Sequence, residues 1–145
     1  MNIYVDTSFL VSLYSADANS AAVVRTLHAG AGVLLISTFA ELEVVNALGL
    51  RVFRKEVSPS QAQSSLNNFE QDLHAGVFQL KPLPENVFAR AHQLSRQTTP
   101  RLGTRTADLL HVAAALELGS DGFYSFDRQQ RKLAQAVKLK LNPMR

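Results

Sequence analysis

Four acidic residues stand where a carboxylate is costly. Asp6 closes the apolar run Ile3-Tyr4-Val5, and Asp127 closes Phe123-Tyr124-Ser125-Phe126. Glu43 lies between Leu42 and Val44-Val45, and Asp108 interrupts a run that otherwise reads Ala107, Leu109, Leu110, Val112, Ala113, Ala114 and Ala115. An ionised carboxylate is expensive in apolar surroundings unless something pairs with it. Several together repel one another and lift some of their own pKa values. A hard divalent cation removes both costs. Mg²⁺ or Mn²⁺ takes oxygen ligands, keeps several waters, and is commonly held by a few carboxylates together with a substrate phosphate. Each acid alone also has a plainer reading. Asp6 before Thr7-Ser8 and Asp127 before Arg128 are placed like helix N-caps. Asp108 falls near a helix start, where the dipole favours negative charge, and Glu43 can simply face solvent. The coincidence of four such acids favours the cation.

The elements that must bring them together alternate along the chain. Ile3–Val5 reads as a buried strand, followed by helical stretches over about Ser8–Tyr14 and Ser20–His28. Val33–Ile36 is the clearest strand, apolar throughout and preceded by Gly30 and Gly32. Ser37 or Thr38 can cap a helix running to about Arg54, and Ser58-Pro59 starts another along which Leu66, Phe69 and Leu73 recur at helical spacing. Phe78–Leu80 reads as a strand, Glu85–Arg96 as a helix, and Thr99–Gly103 as a loop because Pro100 should break the helix. A very apolar helix is expected over Thr106–Leu118, a strand over Phe123–Phe126, a helix over Arg128–Ala136 and a half-exposed strand over Val137–Leu141. Strand, helix, strand, helix implies an α/β fold with a mainly parallel sheet. Ligands of such sheets bind beyond the carboxyl ends of the strands, where Asp6 and Asp127 would stand.

The 145 residues fit a single domain, 1–145, large enough to bury a core without disulfides or structural zinc. Cysteine is absent, which excludes thiolate metal sites and a cysteine nucleophile and fits a cytoplasmic protein. The N-terminus does not read as a signal peptide, and no apolar run is long enough to span a bilayer. A net charge of +3 is compatible with a nucleic-acid partner.

The segments around the four acids resemble the four motifs of the PIN-domain family, and within it the VapC-type toxins. Ile3-Tyr4-Val5-Asp6-Thr7-Ser8 resembles the first, and Glu41-Leu42-Glu43-Val44-Val45-Asn46-Ala47-Leu48 the second. Arg105-Thr106-Ala107-Asp108-Leu109-Leu110-His111-Val112 looks like the third, and Phe123-Tyr124-Ser125-Phe126-Asp127-Arg128 like the fourth. They come in the family's order and span nearly the whole chain. The resemblance implies a three-layer α/β/α sandwich with a mainly parallel central sheet and one acidic pocket. It implies Mg²⁺- or Mn²⁺-dependent cleavage of RNA, with Asp6, Glu43, Asp108 and Asp127 as metal-binding catalytic residues. It also implies a VapB-like antitoxin, whose tail would cover the acidic groove and could place a basic side chain among the carboxylates, and a homodimer. Glu41 and Glu43 point roughly 200° apart on a helix, so only one can face the pocket. The family pattern fits Glu43, and Asn46, three residues on, shares its side.

In this scheme the metal lowers the pKa of a water that attacks an RNA phosphorus in line, leaving 5′-phosphate and 3′-hydroxyl ends. Thr7, Ser8 and Ser125 are candidates for orienting the carboxylates. His111, three residues after Asp108, is either a general acid or base or a hydrogen-bonded histidine packed near the core. His28, His74 and His92 have no partner spacing. Basic residues cluster at Arg51, Arg54 and Lys55, at Arg101 and Arg105, and at Arg128, Arg131 and Lys132. The last two groups flank Asp108 and Asp127, and Arg105 and Arg128 are the candidates for holding RNA phosphates.

Other classes fit less well. A haloacid-dehalogenase-type phosphatase needs a second Asp two residues after the first, where this chain has Ser8. Neither the acid pair nor the late lysine of a response-regulator receiver is evident, and there is no Gly-x-x-x-x-Gly-Lys phosphate loop. A non-toxin PIN nuclease of RNA processing, and a PIN-like module that binds without catalysis, remain as alternatives.

Overall fold

The structure, a computed structural model, describes residues 1–30 and 32–144. Its centre is a five-stranded sheet of β1 (Asn2–Val5), β2 (Val33–Ser37), β3 (Gln79–Lys81), β4 (Gly122–Tyr124) and β5 (Lys140–Leu141), in the order β3-β2-β1-β4-β5. All pairings are parallel. The connecting helices are α1 (Thr7–Tyr14), α2 (Ser20–His28), α3 (Thr38–Phe53), α4 (Pro59–His74), α5 (Val87–Leu102), α6 (Thr106–Glu117) and α7 (Arg128–Ala136).

Strand periodicity divides the core. Ile3 and Val5 of β1 point to one face, where they join Phe9, Leu10, Val23, Ile36, Val44, Leu48 and Phe69. Tyr4 points to the other, with Leu94, Leu109, Val112, Phe123 and Leu133. Helices therefore cover both faces, as a parallel sheet requires. The result is the parallel α/β fold that the alternation of elements implied, in the three-layer α/β/α form that the resemblance implied.

Local signals account for most of the boundaries. Ser37 caps α3 by accepting from the Ala40 N–H. Ser58 and Gln61 form a reciprocal capping box at α4, with Pro59 at its first position. Gly32 precedes β2 with φ +89°, and a Cβ there would collide with the Met1 carbonyl oxygen.

Three expectations are corrected. Helix α5 does not stop before Pro100 but continues to Leu102, ending at Gly103 with φ +65°. Pro100 lies in the last turn and removes only the bond to the Arg96 carbonyl, while Leu94 and Thr98 keep the helix buried. The Phe123–Phe126 strand is shorter, β4 ending at Tyr124, because Ser125 and Phe126 turn to deliver Asp127 to α7. The last strand is Lys140–Leu141 only, since Val137 caps α7 and Lys138 has φ +66°.

Candidate active site

Beginning at β1, the chain moves outward through β2 to β3, then crosses to β4 and β5 on the other side of β1. The connections thus reverse direction between β1 and β4, the place where open parallel sheets leave a crevice at their carboxyl ends. Asp6 follows β1 there, and Ser125, Phe126 and Asp127 follow β4.

Asp6 is fully buried and caps α1. Its Oδ1 accepts from the Phe9 N–H at 3.0 Å and the Ser8 hydroxyl at 2.8 Å, and its Oδ2 from the Ser125 hydroxyl at 2.6 Å. Burial pushes its carboxyl above the usual range, opposed by His111 and by these three donors. Asp127 caps α7, with Oδ1 accepting from the N–H groups of Gln129 and Gln130 at 2.9 and 3.0 Å. The N-cap placements read from the sequence are therefore real, and they do not compete with a role in the site: each cap uses part of a carboxylate.

Asp108 is buried on the first turn of α6. Arg105 wraps it: the Arg105 N–H and Nε–H donate to Oδ2 at 3.0 and 3.2 Å, and Nη2 donates to Oδ1 at 3.2 Å. Nη2 also reaches Asp127 Oδ2 at 2.9 Å. Glu43 comes in from α3. Its Oε1 accepts from the Thr7 hydroxyl at 2.7 Å and from Nε2 of His111. Burial raises the Glu43 carboxyl, but the contacts with His111 and Thr7 outweigh it and hold the group below its ordinary value.

These residues share one open groove of about 620 Å³, lined by Thr7, Ser8, Glu43, Arg105, Asp108 and Asp127, with Asp6 beneath and joined to it through Ser8. Glu41 faces away, into a separate groove with Leu66 and Phe69 of α4, so Glu43 is the acid of the second motif that meets the others. Asn46 is exposed and lies outside the groove lining. A larger concavity of about 880 Å³ on the outer face of α5, around Phe88, His92 and the Arg90–Glu117 pair, gathers no acid cluster.

Among the described residues, no three acid or histidine side chains converge as they stand on a point that would hold an ion. The side-chain contacts explain why: Arg105 bridges Asp108 and Asp127, while Thr7 and His111 hold Glu43. The donor chemistry still suits a hard divalent cation. All the candidate ligands are carboxylates, Glu43 Oε2 carries no protein hydrogen bond among the described residues, and a positive group already sits between two of the acids.

The basic residues are distributed differently from the expectation. Arg105 is at the groove, spent on the two aspartates. Arg128 is exposed and is not part of the lining. Arg131 points inward to the Ser125 carbonyl and to Asn142. Instead Arg51 of α3 and Arg54 at its C-cap line the groove, Arg51 paired with Asp17 at 3.2 Å and Arg54 exposed. Glu43, Ala47, Leu50, Arg51 and Arg54 follow helical spacing along one side of α3, a signal that sequence reading could have used.

Two further residues escaped that reading. Tyr4, buried on β1, places its hydroxyl against Ser37 and His111; a tyrosine within a buried strand needs such a partner. Asn142, just after β5, accepts from the Ser125 N–H at 2.8 Å and from Arg131 at 3.0 Å, fastening the turn between β4 and α7. No local pattern marks it.

A family model described as the PIN domain matches residues 3–136. No curated protein matches the sequence. Among solved structures the chain is similar to VapC20 of Mycobacterium tuberculosis, described as a sarcin-ricin loop cleaving toxin, with 19% identity and a TM-score of 0.70 over 97% of this chain and 99% of that one. It is similar to FitAcB from Neisseria gonorrhoeae, with 17% identity and a TM-score of 0.68 over 98% and 97% of the two chains. VapBC2 from Rickettsia felis, bound to a DNA fragment from its promoter, gives 17% identity and a TM-score of 0.67 over 97% of each chain. At these identities the likeness is one of fold.

Proposed function

The chain belongs to the PIN-domain family, and on that premise we propose that it is a metal-dependent endoribonuclease, the toxin of a toxin–antitoxin pair. The observation that carries this reading is the meeting of Glu43, Asp108 and Asp127 in one groove above buried Asp6, at the carboxyl ends of β1 and β4. Acids from four distant parts of the chain share no structural need to be there together.

Asp6, Glu43, Asp108 and Asp127 are the residues that would hold Mg²⁺ or Mn²⁺. The bound cation supplies Lewis acidity toward water and toward the phosphoryl oxygens. The chain's own part is to orient and to bind. Ser8 and Ser125 fix both oxygens of Asp6, Thr7 and His111 fix one oxygen of Glu43, and the start of α7 fixes one oxygen of Asp127. Arg54, with Arg51 beside it, attracts the phosphates of an RNA strand lying along α3. Were a cation bound by Asp108 and Asp127, the Arg105 guanidinium now between them would be free for a phosphate at the rim.

The toxin reading draws on the fold shared with VapC20 and with proteins solved as VapBC and FitAB complexes. The Arg105 guanidinium fits between Asp108 and Asp127, where a basic side chain of an antitoxin tail would go. Leu42 (65% exposed) and Phe53 (83%) on α3, and Phe88 (62%) on α5, leave apolar surface for an antitoxin and for a second copy of the chain.

The test is cleavage of labelled RNA by antitoxin-free protein with Mg²⁺ or Mn²⁺, with EDTA, and with Asp6→Asn and Asp108→Asn. Metal-dependent cutting that both variants reduce to background is expected. Cutting that survives EDTA, or survives in both variants, sinks the four-carboxylate reading.

A further inference from the structure

His111 is fully buried, and both of its ring nitrogens are engaged inside the protein. Nδ1 lies 2.8 Å from the Tyr4 hydroxyl, and Nε2 meets Glu43 Oε1. The ring sits against Phe39, centroids 4.8 Å apart, and edge-on to Tyr4 at 5.8 Å. No face of it is open to a substrate, so it cannot exchange a proton with RNA. Yet its polar contacts do not close on themselves within the core. They end on Glu43, a carboxylate of the groove.

One direction along this path is fixed by chemistry. The ionised Glu43 carboxylate can only accept, so His111 Nε2 carries a proton and donates it to Oε1. Nδ1 bonds the Tyr4 hydroxyl, which bonds Ser37 Oγ at 2.7 Å, and Ser37 Oγ also accepts the Ala40 N–H at 3.1 Å. Ser37 stands at the end of β2, Tyr4 in β1, His111 in α6 and Glu43 in α3. The path therefore ties three elements of the sheet and its flanking layer to one side chain of the site.

We propose that His111 is a positioning residue for Glu43. The chain Ser37–Tyr4–His111 fixes Oε1 and, with Thr7, leaves Oε2 as the oxygen offered to a cation. This rests on the reading of the groove as a metal site. Partners that orient a metal-binding side chain in this way are typically worth about 10- to 100-fold in metal affinity.

Mn²⁺ binding by calorimetry or electron paramagnetic resonance tests it, on the full chain and its His111→Gln, His111→Phe, Tyr4→Phe and Asp6→Asn variants. A glutamine amide can replace the Nε2–H donor, whereas phenylalanine keeps bulk and loses it. Both lose the Nδ1 partner of Tyr4, so a purely structural role lowers their melting temperatures without separating them in affinity. The expected result is His111→Phe binding Mn²⁺ about 10- to 100-fold more weakly than wild type, with His111→Gln near wild type. Equal affinity of His111→Phe and wild type overturns the inference while the site itself stands. Absence of Mn²⁺ binding by wild type, or binding unchanged in Asp6→Asn, removes the underlying metal reading instead. Should His111→Phe not fold, ¹⁵N nuclear magnetic resonance of wild type and Tyr4→Phe decides. A proton on Nε2, with the Nδ1 signal displaced in Tyr4→Phe, supports the path. A bare Nε2 overturns it.

Discussion

Burial holds the Asp6 carboxyl above the usual carboxylate range, against the pull of His111, Ser125, Phe9 and Ser8. Between the unfolded value of about 3.9 and the raised folded value, the folded chain keeps a proton that the unfolded chain has released. Cation-free stability contributed by this group therefore falls as pH rises through that window. Glu43 has the opposite sign: its lowered folded value adds stability above the unfolded value of about 4.3, lost as pH falls through the folded one. Asp6→Asn should thus melt higher than wild type at neutral pH in EDTA, by about 2–4 °C for each kcal/mol of burial cost relieved. Mn²⁺ should raise the melting temperature of wild type and leave the variant unmoved. A variant that melts lower in EDTA contradicts this account. Arg105→Ala removes the guanidinium between Asp108 and Asp127. It should lower the melting temperature in EDTA, modestly because Arg105 is largely exposed, and added Mn²⁺ should narrow the gap. At this scale the four acids could be read from their apolar neighbours. Ser125 and His111 could be named as candidates, but which acid each one holds could not, since Ser125 meets Asp6 and His111 meets Glu43 only in the fold.

Helix α3 carries both the acid Glu43 and, about two turns on, the groove cation Arg51, with Arg54 at its C-cap a further turn along. Arg54→Ala should weaken RNA binding across sequences and reduce the salt slope of log K by about 1, as loss of one phosphate contact does. Arg128→Ala, outside the groove lining, should leave the slope unchanged. Fluorescence anisotropy over a salt series measures both. The caps of α3, α4 and α7 were legible because Ser37, Ser58 with Pro59, and Asp127 set them locally. The end of α5 was not, because burial of Leu94 and Thr98 overrides the Pro100 signal. The last strand was overextended because alternation in Val137–Leu141 says nothing of the left-handed turn at Lys138.

The whole molecule closes on the site through its C-terminal end. Asn142 is buried, and its side-chain oxygen accepts from the Ser125 N–H, next to the hydroxyl that holds Asp6. Asn142→Ala leaves that buried N–H without a partner, which costs about 1–3 kcal/mol. We expect a lower melting temperature by calorimetry together with slower RNA cleavage, although Asn142 makes no contact with any of the four acids. Unchanged melting would show that the turn between β4 and α7 holds itself. Among the described residues no helix is long and apolar enough to cross a membrane.

The sequence by itself determined the parallel α/β class and which acids were the candidates. Apolar periodicity and alternation act over a few residues, and a carboxylate among aliphatics is visible wherever it occurs. Only the tertiary structure decided which acid of the Glu41–Glu43 pair faces the groove, which arginines line it, and what His111 touches. Each of those depends on groups far apart in the chain meeting across the β1–β4 switch point, and spacing along a sequence does not encode a meeting of that kind.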